Sequence, residues 1–130
     1  MTSRIRRLAI LAALGAALAL SVAFTMEAHA AHDDCTVTVN PPALDYGIFV
    51  GAYASVNCTT VKNTIRQSHV LTMDGVEVDR VDHTWHKRAD GFSFVLVNDV
   101  PGDQVWCVHF SVRIGPHSLG TTTRCETETF

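Results

Sequence analysis

Four cysteines carry the most definite chemistry in this sequence: Cys35, Cys58, Cys107 and Cys125. An even number of thiols in an oxidising compartment closes as two disulfides, and spacing alone allows three pairings. Two other groups of side chains have types suited to binding. Asp82-His83-x-x-His86 sets two imidazoles beside a carboxylate, the donor set of a zinc or copper site if a turn brings both rings together. In an extended strand the two rings diverge and no third ligand stands at a useful spacing. The segment then reads as a polar connection with Trp85 packed inward and no cofactor. His109, Ser111 and Arg113 alternate through a late apolar run. Their stripe is rigid and chemically varied, and is either the contact surface of the domain or a solvated sheet face.

The remaining polar motifs carry less. No Ser sits in a nucleophile elbow and no paired carboxylates flank an evident cleft, so no catalytic residue is assigned. Asp99 and Asp103 bracket Pro101-Gly102 with the spacing of a turn rather than of a calcium loop. Asn57-Cys58-Thr59 matches a glycosylation sequon, but its central cysteine is needed for a disulfide.

The compartment is legible from the start of the chain. Arg4, Arg6 and Arg7 form a positive region, Leu8 to Leu20 is an unbroken run of Leu, Ile, Ala and Gly, and Ala28-His29-Ala30 supplies the small side chains that a signal peptidase accepts. Residues 1–30 therefore read as a signal peptide cut after Ala30, and residues 31–130 as one secreted domain. A cut after Ala31 would instead expose His32 as an N-terminal copper ligand, at the cost of placing His29 at a small-residue position. Without Arg4, Arg6, Arg7 and Glu27 the product has seven Lys and Arg against twelve Asp and Glu, a net charge of −5. That balance disfavours nucleic acid and anionic membrane as partners. An extracellular protein or a glycan remains.

The elements that must position these groups read as strands. From Cys35 onward, short runs of Val, Thr, Phe and Tyr alternate with turn residues, and no stretch sustains a helical period. The runs are Cys35 to Asn40, Leu44 to Val50, Ala52 to Cys58, Val70 to Met73, Val76 to Val81, Phe92 to Val97, Val105 to Ile114 and a last one through Cys125. Asp74-Gly75 accepts the positive φ angles of a tight hairpin. Phe92 to Val97, apolar at nearly every position, reads as a strand covered on both faces. Seven or eight strands in about a hundred residues predict an antiparallel, immunoglobulin-like β-sandwich.

Alternation along the strands sorts the cysteines. Cys35 shares a face with Val37 and Val39, and Cys58 with Ala52, Ala54 and Val56, so both point inward. Cys107 lies opposite the apolar face of Trp106, Val108, Phe110, Val112 and Ile114. Cys125 lies among Thr121, Thr123, Thr127 and Thr129. The pairing predicted is Cys35 to Cys58 and Cys107 to Cys125. Each closes a short loop and constrains the unfolded chain by about 3 kcal/mol.

Cys35-Thr36-Val37, Leu44-Asp45-Tyr46-Gly47 and Val56-Asn57-Cys58 together resemble the opening of spore coat U and pilin-type secreted subunits. The resemblance covers residues 35–58 and implies a sandwich that polymerises by strand exchange, with its first two cysteines bridged. The second predicted disulfide departs from that pattern. The residues themselves favour a secreted, non-enzymatic binding module such as an inhibitor, adhesin or surface component. The alternatives are a small metalloprotein or metalloenzyme using His83 and His86, and a polymerising, pilus-like subunit.

Overall fold

A computed structural model describes residues 34–129. The signal peptide read over 1–30 and the copper ligand His32 lie outside the described residues.

The chain forms six strands: β1 (Cys35–Val39), β2 (Ala43–Asp45), β3 (Phe49–Met73), β4 (Val76–Asn98), β5 (Asp103–Ile114) and β6 (His117–Thr129). All pairings are antiparallel. β3 is the spine, with β1, β2, β4 and β5 all paired to it and β6 paired to β5. The β3–β4 hairpin turns at Asp74 and Gly75, with φ of 49° and 81°, values a two-residue hairpin requires.

The strand count differs from the sequence reading because β3 and β4 each fuse two expected strands. Halfway along, the ladder slips: Asn57 faces Asp90, but Lys62 faces Arg88, so four residues of β3 stand against one of β4. On β4 the backbone at Lys87 takes φ 49°. Such a bulge bends the hairpin and reverses which residues of β3 point inward. Before it the buried positions are Val50, Ala52, Ala54 and Val56; after it they are Ile65, Gln67, His69 and Leu71. Conversely, the expected strand over Leu44 to Val50 is broken. Tyr46 and Gly47 take φ of 52° and 72°, turning the chain so that β2 pairs back on the start of β3.

The bend lays one half of the sheet over the other. The two-layer packing of a sandwich is thus made by a single curled antiparallel sheet. One layer is β1 and β2, the first half of β3 and the second half of β4. The other is the first half of β4, the second half of β3, β5 and β6. Their inner faces differ in size: Val50, Ala52, Ala54 and Val56 on one, Ile65, Leu71, Trp106 and Phe110 on the other. Large rings stand over small side chains, and each fully buried apolar side chain of this kind contributes about 1.5–3 kcal/mol. β5 alternates without error, with Gln104, Trp106, Val108, Phe110, Val112 and Ile114 all buried.

Cys35 is bonded to Cys58 and Cys107 to Cys125. Each pair is also a register pair of adjacent strands, so neither bond crosses between the layers. Trp106 faces the core, away from Cys107. Two disulfides call for an oxidising compartment. Beside the first of them, Asp34 accepts hydrogen bonds from the Thr60 hydroxyl and from Lys62 at 2.6 Å, fastening the start of β1 to the bulge. The Lys62 ammonium holds the Asp34 carboxyl well below the ordinary carboxylate range.

Candidate functional site

The curled sheet turns one row of rings to solvent. On the outer face of the first layer, Tyr53 of β3 stands opposite Phe94 of β4, Ser55 opposite Phe92, and Gly51 opposite Leu96. Tyr53, Phe92, Phe94 and Leu96 are 42, 48, 45 and 38% exposed, too much for core residues and unusual for so many large apolar side chains on one patch. Here the structure corrects the reading of Phe92 to Val97 as covered on both faces. β4 is an edge strand whose odd positions, Ser93 and Val95, are buried while its even positions face water.

The exposed rings continue round the β4 edge to Trp85, which is half-buried and packs inward against the core beside Ile65, as the sequence predicted. Tyr53 and Phe92 are nearly parallel, with centroids 6.5 Å apart and planes inclined by 21°. Phe92 continues to Trp85 at 5.6 Å, and Trp85 to His83 at 5.1 Å. Arg88 lies over the Trp85 ring at 4.5 Å, a cation–π contact. Gly51 makes room for the outer rings and Gly91, on the inner side, for Trp85. A Cβ on Gly51 would lie 2.9 Å from Phe94 Cζ, and one on Gly91 would lie 2.8 Å from Trp85 Cδ1. Their bare backbone lets the rings lie close against the sheet. Trp85 is further fixed by its indole N–H, which donates to Gln67 Oε1 at 3.0 Å. Beside Phe94 and Tyr53 a shallow groove of about 210 Å³ runs under Asn40, Pro41 and Leu44. Ser55, Thr36, Thr38 and Asn57 supply hydroxyl and amide groups on the same face, all at outward register positions.

The sequence-predicted residues fall elsewhere. His83 and His86 both lie on β4 but three positions apart, so alternation turns them to opposite faces: His83 sides with Trp85, His86 with Thr84. The metal reading needs both rings together, and the strand separates them. No group of three or more His, Cys, Asp or Glu suited to a metal is gathered among the described residues. His109, Ser111 and Arg113 do share the outer face of β5. His109 Nδ1 is 2.9 Å from Thr123 Oγ1 and Ser111 Oγ is 2.7 Å from Thr121 Oγ1. Ser111 and Arg113 line a depression of about 350 Å³, whereas His109 is held between Thr123 and Thr72.

One further pair has the makings of chemistry. His69 Nδ1 is 2.5 Å from Ser93 Oγ, the contact of a base with a nucleophile, but the two residues are 0% and 1% exposed, where no substrate reaches them. Burial pushes the His69 ring down to about 4, so it is neutral.

The free edge of β4, like those of β1 and β6, is a place where a strand from another chain would add. It is guarded by Arg80, Asp82, Lys87, Arg88 and Asp90, and Asp79 of one half accepts the N–H of Leu96 from the other at 2.9 Å. Charges and a capped N–H are the usual means of blunting an edge.

No protein family and no curated protein matches the chain. Among solved structures it is similar to one described as a Br derivative of BhCBM56. That similarity has 16% identity, covers 77% of this chain and 96% of that one, and has a TM-score of 0.41. A likeness of that size transfers neither a ligand nor a site. What the geometry defines is a disulfide-braced, all-β domain with an exposed aromatic platform and, on the other layer, the polar depression beside Arg66 and Arg113.

Proposed function

We propose that the chain is a secreted, non-enzymatic binding module whose aromatic platform takes a neutral glycan. The observation that carries this reading is the exposed, near-parallel pair Tyr53 and Phe92, extended by Phe94 and bordered by Thr36, Thr38, Ser55 and Asn57. A pyranose has an apolar face of C–H groups and a rim of hydroxyls. The first stacks on aromatic rings, which bring large apolar area at low conformational cost, and the second needs short hydroxyl and amide partners around them. A protein partner would be served by the same rings, but a pocketed anchor and a fully desolvated centre mark such interfaces, and this platform is open and shallow.

Native electrophoresis through gels containing each of a panel of neutral polysaccharides tests the reading. At least one should retard the protein, and Phe92→Ala and Tyr53→Ala should each restore free mobility while keeping the β-sheet circular dichroism. If no polysaccharide retards the protein, or if both variants are retarded like the parent, the platform is not a glycan site.

A further inference from the structure

The depression on the second layer has a charge arrangement that the sheet has no internal reason to hold. Arg66 of β3 and Arg113 of β5 are directly opposite each other in the register, and both are exposed. Opposite positions bring Cβ atoms to roughly 4.5–5.5 Å, and like charges there destabilise a sheet. Other cations nearby are matched: Lys62 reaches Asp34 at 2.6 Å, Arg80 reaches Glu77 at 2.9 Å and Arg88 reaches Asp90 at 3.3 Å. Among the described residues, neither Arg66 nor Arg113 has a carboxylate within ion-pair distance. Asp82 lines the same depression, but it is engaged by Arg80 at 3.7 Å on the β4 side.

The hydroxyls around the two guanidinium groups are set to donate. Ser68 Oγ accepts from Arg80 at 2.9 Å, which leaves its own proton for a further acceptor. Ser111 and Thr121 share one hydrogen bond between two hydroxyls, so one proton of that pair is also available. Ser118, the register partner of Arg113, completes the rim. Two forked cations and several hydroxyl donors around a concave floor form a receptor for a group rich in acceptor oxygens.

We propose that this depression binds a doubly charged tetrahedral oxyanion, a sulfate or phosphate group, between Arg66 and Arg113 on the β3–β5 side. The site shares His83 with the far end of the ring row but lies away from Tyr53, Phe92 and Phe94, and it stands whether or not those rings bind glycan. The group arrives either as a free ion or as a substituent on a polymer.

Thermal unfolding with sodium sulfate and with sodium chloride at equal ionic strength tests it, using the parent, Arg66→Gln, Arg113→Gln and the double variant. The parent should gain stability with sulfate in a saturable way beyond the double variant. Each single variant should need about tenfold more sulfate, the loss expected for one charged hydrogen-bonding partner. In the absence of sulfate the single variants should melt higher than the parent, because the like-charge contact is relieved. Dextran sulfate compared with dextran then separates the two sources. Retardation by the sulfated polymer alone assigns a polymer-borne group, and response to inorganic sulfate alone assigns a free ion. A parent and double variant that respond alike to sulfate, or a parent that responds as strongly to chloride, would overturn the proposal.

Discussion

Acidification acts on this fold through His69. The ring is buried against Phe110, at 5.2 Å between centroids, with Nδ1 on Ser93 and no hydrogen-bond partner at Nε2. A proton added there would have to be carried without water, so the folded ring titrates at about 4 against an ordinary 6.5; the Asp79 charge opposes this shift only in part. Because the folded value is the lower one, the unfolded chain binds the proton first. Stability contributed by the neutral ring is complete above pH 6.5, falls as pH drops from 6.5 to 4, and changes no further below that. At about 1.4 kcal/mol per unit the loss comes to about 3 kcal/mol. Urea unfolding followed by the fluorescence of Trp85 and Trp106 should show the parent losing stability across that window. His69→Gln, which cannot titrate, should lose about 3 kcal/mol less over the same range. Equal pH slopes in the two proteins between 6.5 and 4 would refute the burial argument.

Removing either disulfide should cost about 3 kcal/mol, since both close loops of similar length, 23 and 18 residues apart. Guanidinium unfolding of Cys35→Ser/Cys58→Ser and Cys107→Ser/Cys125→Ser measures each loss. Gly91→Ala should destabilise by about 1–3 kcal/mol, because the new methyl meets Gln67 Nε2 at 2.7 Å and the Trp85 ring at 2.8 Å; thermal unfolding and a shifted Trp85 emission check it. Phe92→Ala should change the melting temperature little, since the ring is half exposed, while removing polysaccharide retardation in the native gel.

Much of the scaffold was readable from local pattern. The alternation that puts Cys35 and Cys58 on the inner side and Cys107 with Cys125 on the outer is a property of extended chain, independent of neighbours. So is the unbroken inner face of β5, and so is the Asp74-Gly75 turn. The candidate site was less legible. The rings of Phe92 and Phe94 were in view, but a run apolar at both parities has two explanations: two covered faces, or one covered face and one exposed binding surface. Only the pairing partners of β4 separate them. That His83 and His86 stand on opposite faces was visible in advance, since a spacing of three residues divides them between faces once the segment is a strand.

From residue types and alternation alone follow the all-β character, the inward and outward sides of each strand, and the sulfur pairs that brace them. The tertiary structure alone decided that a bulge near Thr59 folds one long hairpin onto itself, that β4 is left at an edge with its aromatic side uncovered, and that Arg66 meets Arg113. Those facts depend on which segment lies beside which, and short-range sequence pattern records the period of a strand but not its neighbour.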